Sequence, residues 1–407
     1  MKILFIANRF PYPPYRGDKL KIFNLAKQLS VRHELYLVTF IDNKADYSYV
    51  SELEKYFTKI RLVYMPHYMS AFNSIINVFS ETPFQINYFK SERLAKTLRE
   101  FVAENDIDVI HTQHLRMAQY TAGLKNCSTV LDLPDAYSLY WKRRSVLKKN
   151  PVKNFIENSE YKKMLNYEKI IGEFDLSLVC SEEDKSYLMD EHDLDNIELL
   201  QNGVDTELYS NSGHDYDLDE QIIFSGNMTY YPNIDAAVYF ATEIFPDILK
   251  KYPKVKFKIT GQNPPEKILK LASDNIIVTG FVESLADEYS KSSIAVSPVR
   301  VGAGSMNKVL EPMSMGVPVV SSSIGFAGLG AVAGRDIILA DNKTDFINSV
   351  CNLLSDSYYR KYIGESGKEI IHNNLSWEKI AIKLENYFYS VADNKKAEFK
   401  IPLGSVV

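Results

Sequence analysis

Cysteine is scarce in this 407-residue chain, and long apolar runs are missing altogether. The three cysteines, Cys127, Cys180 and Cys351, are odd in number, widely spaced and free of any CxxC or Cys/His pattern. That excludes a disulfide framework and a cysteine-based metal site, and reads as reduced core residues. The opening apolar stretch, Met1 to Ala7, stops at Asn8-Arg9, too short for a signal peptide. A membrane span needs about 20 apolar residues, and no such run occurs. The expectation is a cytoplasmic protein, including the inner face of the cytoplasmic membrane. An excess of positive charge is also lacking: the net charge is -5, which argues against nucleic acid as a partner. No short-period repeat or low-complexity tract is present. The first strand-turn lacks GxGxxG, and Gly302-Ala-Gly-Ser-Met-Asn307 fails at its third glycine, so a dinucleotide dehydrogenase is disfavoured.

What is there is an ordinary globular composition, 45% hydrophobic and 24% charged, in a chain too long for one comfortable core. Apolar runs suited to buried strands recur at Lys2 to Ala7, Glu34 to Phe40, Ile60 to Tyr64, Ile107 to His111, Ser128 to Leu133 and Leu176 to Cys180. Helical patterns lie between most of them, the first with Leu20, Phe23, Leu25, Ala26 and Leu29 on one face. The rhythm restarts with strands at Gln221 to Ser225, Val255 to Thr260, Asn275 to Thr279, Ile294 to Pro298 and Val317 to Ser321. Strands alternating with helices predict α/β architecture: two tandem Rossmann-like, doubly wound parallel sheets facing across a cleft. The expected domains are 1–205 and 206–375, then a helix over 376–393 packing back toward the first domain, and a tail over 394–407.

The segment Ser297-Pro-Val-Arg-Val-Gly-Ala-Gly-Ser-Met-Asn-Lys-Val-Leu-Glu-Pro-Met-Ser-Met-Gly-Val-Pro-Val-Val320 carries the chemistry. A strand ends, two glycines turn the chain, and a helix begins whose free N–H groups suit a phosphate. Lys308 in that helix's first turn is electrostatically misplaced by about 0.3–1 kcal/mol unless an anion binds there. Pairing with Glu311 at i,i+3 explains it as well, and Arg300 adds a second cation near the turn. Pro312 inside the helix predicts an irregular first turn around the Lys308 carbonyl.

The chain resembles the GT-B glycosyltransferases of family 4, in particular the bacterial exopolysaccharide-associated type. The likeness runs through Lys2-Ile-Leu-Phe-Ile-Ala7, Asp108-Val-Ile-His111, Gln201-Asn-Gly-Val-Asp205 and Phe224-Ser-Gly-Asn-Met228. It continues through Thr279-Gly-Phe-Val282, Asn307-Lys-Val-Leu-Glu311 and Met315-Gly-Val-Pro-Val-Val320. The resemblance implies a retaining, metal-independent hexosyltransferase with no cofactor, using a UDP- or GDP-sugar donor. In it Glu311 holds the donor ribose, Lys308 and Arg300 the diphosphate, and Gly226-Asn227 forms a second phosphate-facing turn. The backbone at Phe281 meets the nucleobase, and Gly17 lies in a loop that lets phosphate and acceptor approach. His111 and His114 follow a strand ending at 111 and stand near the transferred sugar or acceptor, with His114 preferred for the acceptor side. Three features depart from the family pattern, Pro312 among them, where small residues are usual. Ala303 replaces a usual glutamate, so its sugar contact comes from backbone N–H groups of Gly304, Ser305 and Met306, beside Asn307, or from elsewhere. The turn Gly226 to Asn233 carries no cation.

Asp106-Ile-Asp108 and Asp217-Leu-Asp219 match a short metal-binding pattern but read as ordinary solvated acids. Asp135 and Ser138 follow another strand end, where helix capping explains Asp135 as well as substrate binding does. The basic, aromatic segment Tyr140 to Lys149 and the apolar Ala71 to Phe79 suit an anionic membrane carrying a lipid-linked acceptor, or else a solvated face and a core helix. The expected partners are therefore a nucleotide sugar and a glycan or lipid-linked acceptor. A non-catalytic nucleotide-sugar-binding subunit of a polysaccharide assembly complex and a nucleotide-sugar epimerase are the rival readings.

Overall fold

A computed structural model describes residues 1–15, 17–76, 80–145, 151–210, 213–218, 221–301 and 307–400. The chain divides into two compact units, Met1–Leu200 with Ile380–Val407, and Gln201–Lys379.

The first unit is built on seven strands: β1 (Lys2–Ala7), β2 (Glu34–Ile41), β3 (Lys59–Tyr64), β4 (Val109–Gln113), β5 (Ser128–Leu133), β6 (Leu176–Val179) and β7 (Ile197–Leu199). They lie in the order β3-β2-β1-β4-β5-β6-β7, and every pairing is parallel. Residues 3–7 of β1 and all of β4 and β5 are buried, the signature of a sheet covered on both faces. Leu4, Val38, Leu98 and Phe101 belong to one core cluster and Leu131, Val179 and Leu188 to another.

The second unit has six strands: β8 (Gln221–Ser225), β9 (Lys256–Thr260), β10 (Ile276–Gly280), β11 (Ile294–Ser297), β12 (Val319–Ser321) and β13 (Ile338–Leu339). Their order is β10-β9-β8-β11-β12-β13, again parallel throughout. Phe240, Phe245, Phe257 and Phe346 pack ring to ring in its core. In both sheets strand order reverses once, at β1/β4 and at β8/β11. Ligands of such sheets bind outside the carboxyl ends of the strands at that reversal.

Several boundaries differ from expectation. Strand β4 runs on to Gln113, because Thr112 and Gln113 still pair with Leu131 and Asp132 of β5. The buried face of helix Gly17–Leu29 is Lys21, Ile22, Asn24, Leu25, Ala26 and Leu29, leaving Leu20 and Phe23 half-buried. The last helix extends over Trp377–Lys400 rather than ending at 393, held by buried Val391 and Ala392 and by Lys395 on Asp175 at 2.9 Å. Pro312 sits inside helix Asn307–Ser314. The N–H it lacks would have served only the first turn, so the helix survives. It closes where Gly316 adopts φ 79°, with Val317 N–H on the Pro312 carbonyl at 2.9 Å and Gly316 N–H on that of Met313 at 2.9 Å.

Candidate active site

In the second unit the predicted residues gather at the carboxyl edge beside β8 and β11. Strand β8 ends in Ser225, and Gly226-Asn227 turns the chain toward helix Tyr231–Tyr239. A Cβ on Gly226 would stand 2.8 Å from the side-chain nitrogen of Asn233. The glycine therefore lets Asn233 close in and donate to the Asn227 carbonyl at 2.9 Å. The other end of the same amide accepts from Lys308 Nζ at 2.6 Å. Lys308 and the Gly226-Asn227 turn, 81 positions apart at the nearer residue, are thus joined through one side chain that the sequence reading did not identify.

Glu311 is buried and receives the Tyr289 hydroxyl at 3.0 Å, while Ser225 Oγ lies 2.6 Å from that hydroxyl. Tyr209 supplies a further side-chain hydrogen bond to the carboxylate. Burial pushes the Glu311 carboxyl up to about 7, against the opposing pull of Tyr289, Tyr209 and Lys308. Burial also pushes the Lys308 ammonium down to about 8, with Glu311 opposing. Both groups therefore change charge close to neutral pH in the unliganded protein. An incoming diphosphate would favour charged Lys308, and ribose hydroxyls would favour ionised Glu311. Neither requires the alternative of a simple surface ion pair, because the first partner of Lys308 is Asn233.

The other donor-side candidates are placed differently. Arg300 makes a two-pronged pair with Asp235 at 3.0 and 2.8 Å and lies over the Tyr239 ring at 4.2 Å. That pair occupies the Nε and Nη2 edge of the guanidinium. Phe281 is exposed directly after Gly280 at the end of β10. Asn307 opens the helix that carries Lys308. Gly304, Ser305 and Met306 lie outside the described residues, as do Ala303 and Asp219.

In the first unit the corresponding edge is formed by the ends of β1, β4 and β5. His114 follows β4 with φ 85° and ψ 136°, a backbone conformation that L-residues rarely adopt. Its N–H is tied to the Asp132 carbonyl at 2.7 Å, and its ring stacks on Tyr137, whose hydroxyl bonds the imidazole. His111 is a correction. It does not follow a strand but lies within β4, wholly buried between Phe5 and Phe388 and 3.3 Å from Asp132. It supports the wall of the site and has no exposed surface to offer a substrate. Gly17 begins the first helix with open space around it.

Sequence reasoning missed the ionic centre of this unit. Lys21 Nζ bonds Asp132 at 2.7 Å and the Leu200 carbonyl at 3.3 Å, both side chains buried. Burial works against both charges, yet Asp132 holds the Lys21 ammonium above its ordinary range, and Lys21 with His111 holds the Asp132 carboxyl below its own. The signal available was a lysine at i−4 from Leu25 on the apolar stripe of a helix. Asn8, immediately after β1, is buried, and neither atom of its amide finds a protein partner among the described residues.

Asp135 does not cap the following helix. The Ala136 N–H goes to Asp184 at 3.3 Å, and burial plus Asp184 push the Asp135 carboxyl up to about 8. Ser138 is buried against Glu168 and Tyr187, a packing role. Asp108 accepts the Lys2 N–H at 2.8 Å at the opposite, amino edge of the sheet. Among the described residues no cluster of metal-ligating side chains occurs, and no helix is long and apolar enough to cross a membrane.

Residues 219–356 match the family model described as Glycosyl transferases group 1. The chain is 23% identical over 402 residues to an uncharacterized 44.6 kDa protein in the cps region of Klebsiella pneumoniae, covering 93% of this chain and 97% of that one. It is 25% identical over 406 residues to an uncharacterized glycosyltransferase of Methanocaldococcus jannaschii, covering 97% and 99%. Among solved structures, Anabaena HepE in complex with UDP superposes with a TM-score of 0.68 at 14% identity, covering 96% of this chain and 100% of that one. Sucrose-phosphate synthase from Thermosynechococcus elongatus gives 0.70 at 14%, covering 97% and 100%. The structural likeness establishes the fold as the tandem Rossmann-like GT-B architecture. With the matched family, these findings support a GT-B glycosyltransferase.

Proposed function

We propose that this protein is a retaining, metal-independent glycosyltransferase of family 4 that moves a hexosyl group from a UDP-sugar to a hydroxyl of a glycan or lipid-linked acceptor. The observation that carries the reading is half-buried Lys308 beside buried Glu311, one backed by Asn233 and the other by Tyr289, at the strand-order reversal of the second sheet. UDP is favoured over GDP because HepE was solved with UDP and with UDP-glucose. The relative in the cps region supports a place in bacterial surface polysaccharide or glycoconjugate synthesis.

In this reading Glu311 accepts both ribose hydroxyls and Lys308 carries the negative charge that grows on the leaving diphosphate. The acceptor hydroxyl attacks the anomeric carbon from the face the diphosphate leaves, and a phosphate oxygen takes its proton. His114, at the carboxyl edge of the first sheet, is the group assigned to the acceptor side in this reading, although its ring is buried against Tyr137. The protein's contribution is orientation and charge stabilisation rather than a covalent intermediate. A lipid-linked acceptor also makes an anionic membrane surface a partner of the protein.

Calorimetric titration of UDP, GDP and ADP into the wild type, Lys308→Ala and Glu311→Ala tests the donor site. Selective UDP binding, weakened by both substitutions, is the expected result. No binding of any nucleotide to folded protein would favour a role without catalysis. Transfer from UDP-sugar with the anomeric configuration kept, read by NMR, tests retention.

A further inference from the structure

The carboxylate of Glu311 ends a short chain of hydroxyls held in place by the packing of the second unit. Tyr289, from helix Leu285–Ser290, is buried and donates its phenol to Glu311 Oε2 at 3.0 Å. Tyr209, half-buried in the segment that precedes β8, supplies a second hydroxyl to the same carboxylate. The two rings lie 6.2 Å apart. Each tyrosine is anchored in turn. Ser225 Oγ, at the carboxyl end of β8, is 2.6 Å from the Tyr289 hydroxyl, and the Tyr209 carbonyl accepts from Ser314 Oγ at 2.9 Å.

Proton counting fixes the direction of these bonds. Burial first, and the charge of Glu311 second, raise both phenols above their ordinary range, so each keeps its proton and donates it. Having given its one proton to Glu311, the Tyr289 oxygen accepts from Ser225. An ionised carboxylate only accepts, at about four lone-pair positions. Among the described residues Tyr289 and Tyr209 are its hydrogen-bond donors, which leaves about two positions for a ligand. A buried ion gains from every donor that fills its remaining positions. Two hydroxyls on adjacent carbons, as on a ribose, bring both donors at once.

We infer that Tyr289 and Tyr209 are positioning residues that occupy part of the Glu311 carboxylate, aim the rest at the vicinal hydroxyls of the donor, and so set a preference for ribo- over deoxyribonucleotides. The inference rests on the ribose role proposed above for Glu311 and adds the residues that direct it. Ser225 joins the same chain to the Gly226-Asn227 turn that follows it, so the proposed phosphate and ribose contacts share one fixed partner.

The test is calorimetric titration of UDP and 2′-deoxy-UDP into the full chain as wild type, Tyr289→Phe and Tyr209→Phe, at about pH 8, where Glu311 is mostly ionised. Wild type should prefer UDP by roughly 10–150-fold, the worth of one hydrogen bond to a charged group. Each substitution should narrow that preference about fivefold, with unchanged circular dichroism because the ring is kept. Tyr289→Phe should also move the acid-side fall in UDP-glucose affinity to higher pH, because the lost donor had lowered the Glu311 carboxyl. A wild-type preference that both substitutions leave intact would overturn the inference and spare the ribose role. Equal weakening of the two nucleotides, with that fall unmoved, would also overturn it, as general damage to the site. Equal binding of both nucleotides by wild type, or of neither, would remove the ribose role and the inference together. Should Tyr289→Phe unfold, the half-buried Tyr209→Phe carries the same nucleotide comparison.

Discussion

If Lys308 and Glu311 hold the donor as proposed, nucleotide-sugar binding depends on pH in a form that can be calculated. The free protein holds Lys308 at about 8 and Glu311 at about 7, both through burial. In that reading binding requires the ammonium and the carboxylate together, so the bound state would keep Lys308 protonated and Glu311 ionised. At pH 9 about one-tenth of Lys308 carries its proton, so affinity should be about sixfold below its maximum, or about 1.1 kcal/mol. At pH 6 about one-tenth of Glu311 is ionised, and the loss is similar. Affinity should therefore peak between 7 and 8 and fall on both sides. Protons should be taken up on binding above the peak and released below it. UDP-glucose is the suitable probe, because its diphosphate diester does not titrate in this range. Calorimetry in buffers of different ionisation heat reads affinity and proton exchange together. Lys308→Met should remove the alkaline limb and weaken binding at the peak by roughly 10–150-fold, the worth of a charge-assisted hydrogen bond of about 1.5–3 kcal/mol. Glu311→Gln should remove the acidic limb. Equal affinity from pH 6 to 9 with no net proton exchange would refute the reasoning.

Two further predictions address the scaffold. Lys21→Met leaves Asp132 buried without its cation, which should cost about 3–5 kcal/mol and lower the thermal midpoint of that unit by roughly 6–20 °C. Asp132 is held below its ordinary range, so its contribution is lost as pH falls through the folded value. Lys21 is held above its own, so its contribution is lost as pH rises through the folded value. The deficit of Lys21→Met should therefore shrink on acidification, and Lys21→Met/Asp132→Asn should recover part of it; a midpoint within 2 °C of wild type, by differential scanning at pH 7, is the contrary outcome. Gly226→Ala forces Asn233 away and so loosens Lys308. It should weaken UDP about tenfold while the thermal midpoint changes little, and unchanged UDP affinity would show that Asn233 does not position the lysine.

The fold was legible because parallel strands buried on both faces leave continuous apolar runs, as in Ile3 to Ala7 and Ile222 to Phe224. Boundaries slipped where pairing rather than composition decides, as at Thr112 and Gln113, which are polar yet still within the ladder. The stretch around Lys308 and Glu311 was readable because a strand end, glycines and a helix start follow one another in sequence. Their partners were not. Asn233 is 75 residues from Lys308, and Tyr289 reaches Glu311 from a helix of its own. Lys21 meets Asp132 across 111 residues. A single polar residue supplied from so far away leaves no local pattern, and only the packing of the sheet brings it into place. His111 misled for a related reason: a histidine near a strand end looks the same in sequence whether none or two residues follow it in the strand.

The backbone at His114 has an energetic corollary. A side chain held at φ 85° and ψ 136° sits where glycine would rest at ease, at a standing penalty of about 1–2 kcal/mol. Local backbone preference and side-chain chemistry therefore disagree at this position. For histidine to be the better residue there, its imidazole, stacked on Tyr137, must return more than that penalty to the folded or the working protein. Position 114 thus sets a lower bound, in free energy, on what an imidazole contributes at the carboxyl edge of the first sheet.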